Sequence, residues 1–261
     1  MGLIHTRVRR SGRRIMLAID YPRYGIGQLS RIVESTMEYV AGYKFGLPVL
    51  IHHGIRSLAG LVRDYPDTYY LADPKLSDIS EVMVLAAEEL INAGFHGVVA
   101  HAFIGTSGAL DALARRVKDL GADLVLQTSM VHSGSIYTID RVLYEIKNVI
   151  NAVDPEGLIA PANKAEVIKD FRNSFGWRHV ILSPGIMAKG AAPGEALCAG
   201  ADAEIVGRLV LTSPNPIDAL KYVMDRQSEY LRREDTSCAV SYTHLRAHET
   251  EADLVCRLLL E

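Results

Sequence analysis

Residues 69–93 read YYLADPKLSDISEVMVLAAEELINA, and this stretch decides the fold. Its first part, Tyr69–Lys75, is a short apolar run that closes on charge, as a strand does when it reaches a surface. Its last part, Ser80–Ala93, has apolar residues at helical spacing. A strand leading through a few polar residues into a helix is one βα unit. The same unit recurs outward in both directions. Toward the N-terminus lie IMLAID (Ile15–Asp20) and YKFG (Tyr43–Gly46). Toward the C-terminus lie GVVAHA (Gly97–Ala102), DLVLQTS (Asp123–Ser129), GLIAPA (Gly157–Ala162), HVILSPG (His179–Gly185) and AEIVGR (Ala203–Arg208). Helical spacing appears around 31–40, 107–120 and 138–153, and the helix after the seventh strand is short or absent. Eight alternating units predict an α/β fold, a single-domain (β/α)₈ barrel over residues 14–234. About 250 residues is the ordinary size for that architecture.

Composition agrees with an enzyme-sized core. The chain has 261 residues, 49% of them hydrophobic, with 23% charged and a net charge of −3. That balance gives no reason to expect a nucleic-acid partner. No apolar run approaches the ~20 residues that span a bilayer, so no membrane partner is expected either. The three cysteines, Cys198, Cys238 and Cys256, form neither a disulfide framework nor a zinc spacing, which fits a cytoplasmic protein. Residues 1–13 carry Arg7, Arg9, Arg10 and Arg13 and read as a basic, solvated leader.

In such barrels the chemistry sits at the C-terminal ends of the strands. Here those ends carry Asp20, Lys44, Asp73, Lys75, His101, Ser129, Ser183 and Arg208. The segment ADPKLSDIS is a D-x-K-x-x-D pattern of Asp73, Lys75 and Asp78. Asp73 and Lys75, two apart, share one face of an extended strand, the barrel interior. Lys44 can join them from the neighbouring strand. The alternative reading is an ion-pair cluster that only stabilises the mouth, but such buried pairs return little stability. His52 and His53 are adjacent and cannot face one metal at helical i, i+4 spacing. His101 reads as a packing or hydrogen-bonding residue at the mouth. The glycine-rich stretch Gly185–Gly194 matches no dinucleotide or P-loop pattern and reads as a mobile phosphate lid.

Four segments together resemble the orotidine 5′-phosphate decarboxylase superfamily: LAID with Asp20, YKFGLPVL with Lys44, DPKLSDI, and LSPGIMAKGAAPGE followed by EIVGR. The resemblance runs from about Arg14 to Asn215. The D-x-K-x-x-D signature is shared with hexulose-phosphate synthase and keto-gulonate-phosphate decarboxylase. Those magnesium-dependent relatives carry Glu on strand two, where this chain has Lys44, so the orotidylate branch is the better match, and the GxxAxGxxPGE and VGR segments resemble its archaeal-type members. The resemblance implies decarboxylation of orotidine 5′-phosphate to uridine 5′-phosphate in pyrimidine biosynthesis, with no metal and no cofactor. Lys75 is expected to protonate C6, and Asp73 to sit against the departing carboxylate. By the same resemblance Lys44 is expected to hold the charge network and a ribose hydroxyl, and Asp20 to bind the ribose. Pro184, Gly185, Lys189, Gly190, Gly207 and Arg208 are expected to hold the phosphate. Asp78 is expected to reach the site of a second subunit in a homodimer.

Three positions differ from the family's usual residues. Val131 stands for the Ser that contacts the pyrimidine, so Ser129 or a backbone group is expected to serve there. Lys189 stands for a loop Gln, and Val82 for a Thr. These leave open a barrel that binds nucleotide without turnover, and the shared signature leaves open a magnesium-dependent sugar-phosphate aldolase or decarboxylase of the same superfamily.

The last segment, VSYTHLRAHETEADLVCRLLLE from Val240, resembles a translated sequencing-library adapter. Residues 235–261 are therefore expected to be a non-native, disordered tail, and His244, His248 and Cys256 are set aside as metal candidates.

Overall fold

The computed structural model describes residues 2–21, 23–233 and Cys238. Eight parallel strands close into a barrel in sequence order: β1 (Ile15–Ile19), β2 (Gly42–Gly46), β3 (Tyr70–Leu76), β4 (Gly97–His101), β5 (Asp123–Gln127), β6 (Gly157–Ile159), β7 (Val180–Pro184) and β8 (Ala203–Val206). The helices in chain order are α1 (Leu3–His5), α2 (Ile26–Thr36), α3 (Leu47–Asp64), α4 (Ser80–Asn92) and α5 (Asp111–Asp119). They continue with α6 (Leu143–Val153), α7 (Ala165–Phe175), α8 (Glu195–Cys198), α9 (Arg208–Leu211) and α10 (Pro216–Leu231). The (β/α)₈ expectation holds, including the short helix after strand seven.

Strand parity sorts the core into two layers. Met16, Ala18, Leu71, Val99, Val125, Ile159, Leu182 and Ile205 point inward and fill the barrel. Their neighbours Leu17, Tyr43, Phe45, Ala72, Val98, Leu124 and Ile181 point outward against the helices. Alternating faces are what a pleated strand imposes, and here both faces are buried. At several C-terminal ends the strand-like run extends one to three residues beyond the strand, because the last residues of the run already belong to the turn.

The N-terminal segment departs from expectation. Residues 2–13 are not a solvated leader: α1 and the wide helical turn Thr6–Arg10 that follows it plug the N-terminal mouth of the barrel. Ile4 and Val8, four apart on one helical face, are buried among the inward strand residues. Leu3 and Ile4 donate their backbone N–H groups to Asp123 at the start of β5, at 3.0 and 2.7 Å. Arg9 reaches Asp202 at 2.7 Å. Charge composition suggested solvent, but the arginines alternate with apolar residues that the barrel floor needs.

The expectation of unpaired cysteines is also corrected. The sulfurs of Cys198 and Cys238 are bonded, with Cα atoms 4.8 Å apart. The pairing arises because the chain returns to α8 after α10, a tertiary event that cysteine spacing does not encode. The reading of 235–261 as a non-native tail falls, Cys238 apart, outside the described residues. Among those residues, no helix is long and apolar enough to cross a membrane.

Candidate active site

At the C-terminal mouth the inward positions change from apolar to charged. Ala18 pairs in register with Lys44 across β1–β2, and Gly46 with Asp73 across β2–β3. Parity therefore carries Asp20, Lys44 and Asp73 to one rim. Asp20 fits beside β2 only because residue 46 is glycine: a Cβ there would lie 1.9 Å from Asp20 Oδ1.

Lys75 arrives by a different route from the extended strand that the spacing suggested. Ala72 pairs with Val98 but Leu76 with Ala100, so β3 spends four residues where β4 spends two. This bulge contains Pro74, which has no N–H to give a ladder, and Lys75 at φ +55°. A lysine at positive φ costs roughly 1–3 kcal/mol, a strain typical of functional positions. The bulge turns the Lys75 ammonium back onto Asp73, 2.8 and 2.9 Å from its two oxygens.

The four charges alternate in space. Lys44 Nζ lies 2.9 Å from Asp20 Oδ1 and 2.8 Å from Asp73 Oδ2, and Lys75 completes the row. Alternation with zero net charge is what makes burial of such a group tolerable. Burial alone would push the Asp73 carboxyl up, but Lys44 and Lys75 outweigh it and hold it below the usual carboxylate range. Burial likewise works against a charged Lys44, and Asp73 and Asp20 outweigh that too, raising its pKa. Both groups are therefore charged at neutral pH. Lys44 is enclosed, with 8% of its side chain exposed, whereas Lys75 keeps 34% and faces a cavity of about 850 Å³.

That cavity brings together most of the expected site. Asp20, Lys44, Asp73, Lys75, Val131, Pro184, Gly185, Lys189, Gly207 and Arg208 all line it. Gly207 hugs β1, since a Cβ there would lie 3.1 Å from the Ala18 carbonyl oxygen. Gly190, at φ +98°, turns the loop after Lys189 without lining the cavity. Asp78 is not part of its own chain's site: it is exposed, and its Oδ1 accepts the Ile79 N–H at 2.7 Å.

Ser129 is a correction. It is fully buried behind the cavity wall, donating to Asp140 Oδ1 at 2.5 Å and accepting from Lys164 at 3.3 Å. The strand ends at Gln127, so parity no longer carries Ser129 inward. Gln127 itself was missed. It lines the cavity, its Oε1 accepts from Lys75 at 3.3 Å, and its amide donates to the Ser129 carbonyl. Its inward parity with Val125 was the available signal. Asn163 was also missed; it donates to the Val131 carbonyl oxygen at 3.2 Å, bracing that loop. His101 packs against Phe103 with ring centroids 4.9 Å apart, as expected of a packing residue. Among the described residues, no group of three or more His, Cys, Asp or Glu is placed to hold a metal ion.

Fold and site thus define a (β/α)₈-barrel enzyme with a lysine–carboxylate centre at its C-terminal mouth. Residues 13–223 match the family described as Orotidine 5'-phosphate decarboxylase / HUMPS family, and the chain belongs to that family. An orotidine 5′-phosphate decarboxylase from Aeropyrum pernix is 40% identical over 231 residues, covering 86% of this chain and 94% of that protein. The one from Sulfurisphaera tokodaii is 35% identical over 190 residues, covering 73% and 86%. The crystal structure of orotidine 5′-monophosphate decarboxylase from Sulfolobus solfataricus superposes with a TM-score of 0.75 at 31% identity, covering 84% of this chain and 99% of that one.

Proposed function

We propose that this protein decarboxylates orotidine 5′-phosphate to uridine 5′-phosphate in pyrimidine biosynthesis, using its own charged groups and no metal or cofactor. The observation that carries the reading is the Lys44–Asp73–Lys75 arrangement. Lys44 occupies the strand-two position where a magnesium-dependent enzyme needs an oxygen ligand, and its ammonium sits 2.8 Å from Asp73. A cation bound to that carboxylate would meet the ammonium's charge and find no electron pair there.

The substrate's C6 carboxylate would lie against Asp73, whose charge is held in place by both lysines. As the C6–carboxylate bond breaks, carbon dioxide departs and the electron pair stays on C6. Lys75 then gives C6 a proton and recovers one from solvent. An ammonium about 4 Å from the developing carbanion contributes about 4 kcal/mol at an effective dielectric of 20. Enzymes supply roughly 8–23 kcal/mol, so one lysine is insufficient. The remainder would come from the preorganised network and from binding the distant phosphate, whose energy can drive closure over the reacting centre. Asp20 and Lys44 would hold the ribose. Gly185, Gly207, Arg208 and Lys189 would hold the phosphate, with Pro184 and Gly190 shaping the loop.

Two further parts belong to this proposal. The Val131 position would be served by backbone groups, since Ser129 is engaged elsewhere. The active unit would be a homodimer in which Asp78 enters the partner's site. Support comes from the exposed apolar residues Ile79, Val82 and Leu85, which recur three apart around the start of α4. An exposed apolar stripe of this kind is what a subunit interface covers.

An ultraviolet assay of orotidine 5′-phosphate decarboxylation with chelator present tests the reaction. Undiminished turnover is expected. Loss on chelation, restored by magnesium, would establish the magnesium-dependent alternative, and tight uridine 5′-phosphate binding without turnover the non-catalytic one. The shared site is tested by mixing inactive Lys75→Ala and Asp78→Ala variants under subunit exchange. About a quarter of sites should recover, because each hybrid dimer carries one undamaged site. No recovery after verified exchange would place Asp78 outside the shared chemistry.

A further inference from the structure

The loop between β7 and α8 is a small hairpin with two glycine anchors. Met187 N–H donates to Ala191 O at 2.8 Å and Gly190 N–H to Met187 O at 3.2 Å, so the tip carrying Lys189 is internally braced. The anchors are Gly185 at φ +103° and Gly194 at φ +93°. The first lies against Val131 at the cavity; the second lies outside the barrel wall, between β8 and α10.

What holds the second anchor is a buried carboxylate. Glu204, on the outward face of β8 and fully buried, accepts the Gly194 N–H on Oε1 at 2.8 Å. The backbone N–H groups of Ala196 and Leu197 also favour its charged form. Its Oε2 accepts from Gln227 Nε2 of α10 at 2.9 Å, and Gln227 itself is buried. Gly194 has no room on the far side either, since a Cβ there would lie 2.6 Å from the Tyr230 Cβ. Burying a carboxylate is costly, and an apolar residue would fill this space without that penalty. The carboxylate offers something that packing does not: several acceptor sites that fix the backbone where the loop ends. It sits three residues before Gly207 on the chain that also carries Arg208.

We propose that Glu204 is a positioning residue for phosphate recognition, tying the loop that carries Lys189 to the strand that leads into Gly207 and Arg208. It touches no substrate. It sets the distance between the two halves of the phosphate site, so its loss loosens the grip on phosphate while the Lys44–Asp73–Lys75 centre stays intact. The inference rests on the decarboxylase reading above.

The experiment compares orotidine 5′-phosphate with orotidine, which lacks the phosphate, in wild type, Glu204→Leu and Glu204→Gln. Glu204→Leu should lower kcat/KM for the phosphorylated substrate about 10- to 100-fold, chiefly through KM. It should leave reaction of orotidine within about twofold, which also shows that the variant is folded. Glu204→Gln keeps an acceptor for Gly194 and can donate to a flipped Gln227 amide, so it should restore most of the loss. If Glu204→Leu does not fold, Gln227→Leu, which frees the second oxygen, carries the same comparison with about a three- to tenfold effect. Equal losses for both substrates, no loss for either, or failure of Glu204→Gln to rescue would overturn the proposal. A wild type inactive on both substrates would instead refute the decarboxylase reading. The Glu204 comparison would then be read from binding of uridine 5′-phosphate against uridine, with the same expected ratio.

Discussion

Each end of the barrel holds an aspartate between two cations. At the N-terminal end Asp202 lies 2.7 Å from Arg9 and 2.6 Å from Arg172. At the C-terminal end Asp73 lies 2.8 Å from both Lys44 and Lys75. In both places burial pushes the carboxyl up and the two cations outweigh it, so both aspartates stay charged. The difference lies in what the cations do next. Arg9 also donates to the carbonyl oxygens of Trp177 and His179, and Arg172 to that of Gly200 while stacking 3.9 Å over the Trp177 ring. Their forks are used up, and a guanidinium does not release a proton in a protein. Lys75 is held on a strained bulge, faces the cavity, and carries an ammonium that can give up a proton. An ion triad is therefore not a site in itself. Access and a removable proton make one.

The sharpest break of this comparison is Lys75→Ala. Turnover should fall by about a thousandfold or more, the rate equivalent of roughly 4 kcal/mol, with uridine 5′-phosphate binding and Tm little changed. Near-wild-type turnover would remove Lys75 from the chemistry. The counterpart at the closed end is Asp202→Ala, which strands two buried arginines. It should cost about 3–5 kcal/mol of stability, or roughly 10 °C in Tm, while kcat per folded molecule at low temperature stays within about twofold. A selective loss of kcat with unchanged Tm would show that the two ends are coupled.

Lys189→Ala should be milder, raising KM for orotidine 5′-phosphate about tenfold and leaving orotidine almost unaffected. An equal effect on both substrates would move Lys189 from phosphate binding to the fold or the chemistry.

The smallest effect concerns pH. Burial pushes Asp123, at the N-terminal end, up to about 6, and Glu204 up to about 7. A carboxyl whose pKa is raised on folding stabilises fully below its unfolded value near 4, and that stabilisation is lost as pH rises through the folded value. Asp73 and Asp202 act in the opposite sense: their contribution is present above about 4 and is lost on further acidification. Burial holds His5, His96 and His179 below the usual imidazole range, and these gain stability as pH rises toward about 6.5. The carboxyl contribution is therefore read by difference: in urea unfolding, the stability of wild type relative to Glu204→Gln should fall from pH 5 to pH 8 by on the order of 1 kcal/mol. A profile unchanged in this variant would mean that Glu204 does not titrate in the range.

Much of this protein is written in local pattern. Runs such as IMLAID and GVVAHA alternate inward and outward residues, and that parity alone places Lys44 and Asp73 inside a barrel. The charge order around Pro74 marks the mouth, because polar groups are tolerated where a strand leaves the core. What local pattern did not reveal depends on partners distant in the chain. Whether Ser129 faces the cavity turns on where β5 stops, and Gln127 takes the place beside Lys75 instead. Arg9 looked solvated until Asp202, 193 residues away, gave it a partner. Glu204 looked like any residue of a strand until Gly194 and Gln227 converged on it. The strands, their inward faces and the charged signature are local properties of the chain. Which polar groups stay free for a substrate depends on contacts made across the fold, because a buried polar group's role is set by whichever neighbours satisfy it.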